Sequence, residues 1–174
     1  MKIVRSRAII ITDPCYIAKE GDWGKGEAFD WEESTINSNI FSDYIWDDTV
    51  GGDGTWSVFE VNRTLGEGGL MNFVDDYAIA LDNVIDHPES EFYQKILDKL
   101  ESQQTKIGSF GSDSGCMGVF YLDEVLKYNP DFQNGLCNDC YAIIKDFAGR
   151  IVIYKTDEYF HILGIGNKTF YTIG

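Results

Sequence analysis

From Tyr141 to Gly174 the chain reads as four short apolar segments divided by turn residues, and this pattern constrains the fold more than any other feature. The segments 141–147, 151–155, 159–164 and 169–173 are rich in β-branched and aromatic residues. They are joined by Ala148-Gly149-Arg150, Thr156-Asp157-Glu158 and Gly166-Asn167-Lys168. Segments this short suit strands, and tight polar connections make successive strands antiparallel, so the spacing predicts a four-strand meander.

Earlier segments extend the same pattern. Residues 2–11 read as a strand ended by Asp13-Pro14, 56–62 alternates as a strand should, and 105–110 and 116–121 flank Gly111-Ser112-Asp113-Ser114-Gly115. The Gly51–Gly54 and Gly66–Gly69 clusters mark turns, and Phe73–Leu81 reads as a strand pair or one strand and a loop. Trp31–Glu33 and Ile40–Trp46 suit short helical turns. Only 88–102 has a long helical period, with Phe92, Ile96 and Leu100 on one face and Pro88 fitting a first helical position. Residues 122–128 read as a short helix that stops near Pro130. The expected fold is α+β and β-rich: an antiparallel sheet system, partly closed barrel or sandwich, ending in the meander, with one long helix packed on it. At 174 residues, 1–174 is expected to be one domain.

Twenty-five aromatic residues permit a sizeable core. No run of about 18 apolar residues is present, so no membrane association is expected. The stretch around Ala8–Ile11 is too short for a leader and reads as a strand, which predicts a cytoplasmic protein with reduced cysteines.

Charge is unevenly placed. Residues 19–101 hold 20 Asp/Glu and 5 Lys/Arg, a net of −15, while the rest holds 9 of each. Direct nucleic-acid binding is disfavoured, because neutralising phosphates needs Lys and Arg. A basic partner surface is favoured instead. All four tryptophans lie in the same acidic segment, and tryptophan is enriched at interface hot spots. Asp43, Trp46, Asp47, Asp48 and Asp53 are therefore the expected partner-binding residues; the alternative is that the tryptophans form the core of a loop-rich region. The same acids lack the spacing and terminal Glu of an EF-hand loop.

Residues suited to catalysis are few. Cys15 as nucleophile, His161 as base and Asp113 or Asp13 as orienting group make one option, a small hydrolase or transferase. Against it, His161 in Tyr159–Leu163 also reads as an ordinary strand residue. Cys137-Asn138-Asp139-Cys140 is a lone CxxC; Cys15 and Cys116 would have to complete a four-thiolate zinc site, and the alternative is a loop with incidental thiols. It precedes a strand, so no helix N-terminus activates a thiol. The Asp113-Ser114-Gly115 turn presents consecutive N–H groups as an anion nest, or is a plain hairpin turn. No cofactor is expected.

Asp13-Pro14-Cys15-Tyr16 after the first strand, with Asp113-Ser114-Gly115 before a later one, resembles a set of uncharacterised bacterial and phage proteins that open with a DPCY-type turn and carry a later DSG turn. The resemblance covers those two motifs and implies no activity. It implies that the motifs are neighbours, with Asp13, Cys15, Tyr16 and Asp113 lining a structural corner or a small site.

The residues thus predict a non-enzymatic interaction protein whose acidic, tryptophan-rich segment engages a basic partner. Its extreme form is a nucleic-acid mimic, such as a phage or mobile-element inhibitor of a host nucleic-acid-binding system, anti-defence or anti-CRISPR-like in kind. The Cys15/His161 enzyme is the alternative.

Overall fold

The computed structural model describes residues 6–49, 52–62, 65, 67–155, 160–166 and 168–174, without the side chains of 67, 150, 152–155 and 160–166. Strand β1 (Arg7–Thr12) contains three consecutive isoleucines, Ile9, Ile10 and Ile11, all fully buried. An ordinary half-buried strand alternates, so a continuous apolar run requires cover on both faces. The architecture supplies it. Strands β4 (Tyr44–Asp48), β7 (Cys116–Tyr121), β1 and β8 (Tyr141–Phe147) form one antiparallel sheet in the order β4-β7-β1-β8. A second has the order β6-β5-β11-β10-β9, from β5 (Gly54–Val61), β6 (Gln104–Ser112), β9 (Gly149–Lys155), β10 (Phe160–Gly166) and β11 (Thr169–Ile173). Strands β2 (Phe29–Asp30) and β3 (Thr35–Ile36) form a small third ribbon.

Ile9 and Ile11 point between the two large sheets, where they meet Trp56, Val58, Phe110, Met117, Val119 and Phe170. Ile10 points the other way, into an aromatic layer with Phe29, Phe41, Phe120 and Tyr128. Burying each isoleucine contributes about 1.5–3 kcal/mol, and both cores depend on this one strand. The outer face of the five-stranded sheet is covered by α2 (Glu67–Asp86) and α3 (Glu91–Glu101), through Leu70, Phe73, Val74, Tyr77 and Leu97 against Val61 and Tyr171. Two short helices, α1 (Pro14–Ile17) and α4 (Leu122–Tyr128), stand with the four-stranded sheet.

The expected class therefore holds: mixed α and β with antiparallel sheets that stay unclosed. Four details differ. The C-terminal meander has three strands, β9 to β11, because β8 pairs with β1 in the other sheet. Asp146 takes a left-handed conformation (φ 58°), which turns the chain away before β9 begins. Residues 73–81 are helix, not strand: Leu70, Phe73, Val74, Tyr77 and Ala80 recur at helical spacing and are the buried positions. The sheet thus carries two long helices rather than one. Tyr44–Asp48 is strand β4 and not a helical turn, paired to β7 from Tyr44 opposite Phe120 to Asp48 opposite Cys116.

Helix α3 starts later than Pro88 suggests. Ser90 is its N-cap, its hydroxyl accepting from the Tyr93 N–H at 3.3 Å. Leu97 and Leu100 pack into the cluster with α2 and the sheet, Tyr93 packs against His87 and Phe92, and Phe92 and Ile96 face outward.

Candidate functional site

Strand β1 ends in Asp13, and there the two motifs meet. Asp13 is fully buried and is the N-cap of α1, its Oδ1 accepting from the Cys15 N–H at 2.9 Å. Across from it runs the turn that takes the chain from β6 in one sheet to β7 in the other. The Asp113 and Ser114 N–H groups donate to Asp13 Oδ2 at 2.9 and 2.8 Å, and the Ser114 hydroxyl donates to Oδ1 at 2.7 Å. The Ser112 hydroxyl stands 3.1 Å from Oδ2 and 2.9 Å from the Cys116 carbonyl. Gly115, at φ 70°, closes the turn in a region that disfavours other residues.

An anion nest is thus present at 113–115, and its anion is a side chain of the same protein. A carboxylate has about four acceptor sites, and these donors occupy them. The arrangement ties β1, α1 and the inter-sheet turn together, which is the work of a structural corner. Tyr16 adds a second tie, donating to Asp113 Oδ2 at 2.7 Å.

Cys15 and Asp113 are brought together here, but the surroundings oppose a nucleophilic thiolate. Burial, and then the adjacent Asp13 carboxylate, push the Cys15 thiol far above its ordinary range. An activated cysteine needs the reverse, a neighbouring cation that favours the anion, and the single-turn α1 that holds Cys15 is capped by the Asp13 carboxylate instead. His161 lies on β10, with its backbone opposite Thr172 on one side and Lys155 on the other. Its side chain lies outside the described residues.

Cys137 and Cys140 flank a single 3₁₀ turn before β8, with their sulfurs 2.7 Å apart. All four cysteines are free. Cys116 instead lies by Asp48, 3.9 Å from its Oδ1. Among the described residues no three His, Cys, Asp or Glu side chains gather as a metal site would need, so the four-thiolate arrangement is not assembled.

The acidic segment divides over two outward surfaces. One is the β4 edge of the four-stranded sheet and the loop layer beside it, with Asp43, Asp48 and Asp53 exposed and Trp46 and Asp47 half-buried on β4, Trp46 facing the loop layer and Asp47 the side of Ile45. Its tryptophans form a staircase from core to solvent. Trp46 packs edge-on against Phe29 and Trp31, and Trp31 stacks on Trp23 at 5.2 Å between ring centres. Trp23 is 53% exposed, whereas Trp56 is in the core between the sheets. Asp22 is also internal. It accepts from the Glu27 and Ala28 N–H groups and from the Tyr128 hydroxyl, and so shapes the loop. The second acidic surface is the helix pair α2–α3, whose Asp75, Asp76, Asp82 and Asp86 are all exposed.

Two contributors escape a reading of the sequence. Ser112 and Ser114 hold Asp13, and the only local sign is a run of turn-forming residues. The surface of α2 is masked in the sequence because the glycines before it and its paired acids interrupt the helical period, although Leu70, Phe73, Val74 and Tyr77 carry the signal. No family model matches this chain, and no curated protein or solved structure matches it either.

Proposed function

We propose that this chain is a non-enzymatic binding protein for a partner with a basic surface. The observation that carries the reading is the concentration of −15 in residues 19–101, displayed as exposed carboxylates on the β4 loop layer and on α2–α3. The ion pairs drawn from this segment include Lys19–Glu27 at 3.4 Å and His87–Glu89 at 4.0 Å, both exposed. Such pairs contribute little, so most of this charge is turned to solvent and to whatever docks there. The environment of Cys15 supports a binding role over a catalytic one, because it favours the neutral thiol.

On and beside β4, the exposed Asp43, Asp48 and Asp53 provide the charge, and Trp46 backs the staircase that presents Trp23. A protein that normally grips phosphate backbone has the complementary basic groove, which makes a nucleic-acid-binding protein the favoured partner class and mimicry of nucleic acid the narrow form of the reading.

The test is affinity capture from lysate on the immobilised protein at about 50 and 300 mM salt, spanning a large change in Debye length. Nucleic-acid-binding proteins retained at low salt and released at high salt are the expected result. Capture that is indifferent to salt, or that survives Asp43→Asn, Asp48→Asn and Asp53→Asn together with neutralisation of α2, overturns it.

A further inference from the structure

Helices α2 and α3 lie side by side on the five-stranded sheet and leave a groove of about 550 Å³ between them on the solvent side. Phe73, Ala80 and Leu100 form its floor, and Ile79 and Ile96 stand on its walls. This surface is more apolar than its surroundings require. Of the seven large hydrophobic side chains exposed among the described residues, Met71, Ile79, Ile85, Phe92 and Ile96 belong to α2 and α3. Ile79 is 57% exposed and Phe92 68%. Phe92 and Ile96 are four apart, so they form one stripe along α3 beside the groove.

Charge runs along the rim beside the groove. Asp75, Asp82 and Asp86 recur at i, i+7 and i+11, a single stripe along α2, and Ile79 at i+4 lies next to it. Asp76 lines the groove itself. Helix α2 holds no Lys or Arg at all. On α3 the groove is bordered by Lys99. An acidic rim beside an apolar floor matches an apolar side chain row bordered by Lys or Arg. A second copy of this chain would bring its own Asp stripe against this one, and at −15 per chain that contact is repulsive.

We infer that the α2–α3 groove is a docking site for an amphipathic helix of a partner protein, its apolar face seated between Ile79 and Ile96 and its basic flank along Asp75, Asp82 and Asp86. The occupant makes a third helix of the layer, in the helix-in-groove manner. The groove runs from Gly69 to Asn83 along α2, a length of about 21 Å at 1.5 Å per residue, which suits a partner helix of about four turns. The inference rests on the basic-partner reading above, and gives that partner a second, distinct contact surface with an apolar component.

The experiment uses the full chain and a fluorescein-labelled 18-residue peptide of Leu and Lys arranged as an amphipathic helix. A peptide of the same composition in shuffled order, with no apolar face, is the comparison. Fluorescence anisotropy at low salt is expected to show the amphipathic peptide binding at least about tenfold more tightly than the shuffled one. Ile79→Ser with Ile96→Ser should erase that preference. Both residues are partly exposed, and circular dichroism and melting confirm the fold; the single Ile79→Ser variant serves if the pair unfolds. Asp75→Asn, Asp82→Asn and Asp86→Asn together should weaken binding and flatten its salt dependence. Asp43→Asn, Asp48→Asn and Asp53→Asn together should leave this peptide's binding unchanged. Equal binding of both peptides, lost only on neutralising the β4 surface, overturns the groove and leaves the basic-partner reading standing. Absence of binding by either peptide at low salt overturns both. A protein dimer in sedimentation that Ile79→Ser dissolves overturns the proposed occupant in favour of a second copy.

Discussion

Asp13 accepts hydrogen bonds from both the backbone N–H and the hydroxyl of Ser114, at 2.8 and 2.7 Å, although 101 positions separate them. The contact pins the end of β1 to the turn where the chain leaves the five-stranded sheet for the four-stranded one. A buried charge is costly unless its acceptor sites are filled, and here they are.

Asp13→Asn keeps the size of the side chain but aims an NH₂ group at N–H donors. The expected loss is about 3 kcal/mol, or a melting temperature lower by roughly 6–12 °C. Ser112→Ala, at a shared and longer contact, should cost about 1 kcal/mol. Urea titration and thermal melts measure both, and an Asp13→Asn protein as stable as the parent would refute the corner.

Gly118→Ala tests the packing of β7. A Cβ there would stand 2.3 Å from the Phe120 ring and 3.2 Å from Pro14 Cγ, and Phe120 is fully buried with no room to withdraw. Overpacking of this kind costs about 1–3 kcal/mol. A neutral or stabilising effect in a chemical melt would show that the ring moves freely.

Alkaline pH should destabilise the fold. The Cys15 thiol and the phenols of Tyr16, Tyr128 and Tyr171 are all raised above their ordinary range, first by burial and then by neighbouring groups such as Asp13, Asp113, Asp22 and Tyr77. Raised groups hold their protons in the folded state after the unfolded chain has lost them. Their stabilisation is therefore complete below about pH 8.5 and declines as pH climbs past about 10, the ordinary thiol and phenol values. The urea midpoint followed from pH 7 to 11 is expected to hold and then fall; a flat profile to pH 11 contradicts these assignments.

Tryptophan quenching reports the field at the loop layer. Trp23 is accessible and lies among Glu20, Lys25 and the acids of the loop, so caesium should quench its emission more strongly than iodide. Trp23→Ala should remove most of the caesium effect and leave the buried Trp56 emission. Equal quenching by the two ions would mean that the surface potential there is not negative.

Much of this was legible locally. Strand β7 and helix α4 fall at 116–121 and 122–128, where turn residues and the residue before Pro130 place them. The run Ile9–Ile11 marks a strand, whereas no period signals the meeting of Asp13 with the 113–115 turn. Helix α2 was missed because Gly66–Gly69 and the Asp75-Asp76 pair break up a helical period that is plain once Leu70, Phe73, Val74 and Tyr77 are counted together. On α3 the stripe Phe92–Ile96–Leu100 is a valid helical face, yet the residues that pack into the cluster with α2 and the sheet are Leu97 and Leu100.

Although Gly68 and Gly69, expected in a turn, belong to α2, the amino-acid order by itself determined the antiparallel β class, the turn between β6 and β7 and the confinement of −15 to residues 19–101. These depend on periodicity and turn chemistry within a few residues. Tertiary structure decided that β8 leaves the meander for β1, that the nest at 113–115 is filled by Asp13, and that the acidic segment splits into two surfaces. Those outcomes depend on which strands lie side by side and which helix face the sheet covers. Packing across the whole chain selects them, because burial is shared among residues that no local pattern connects.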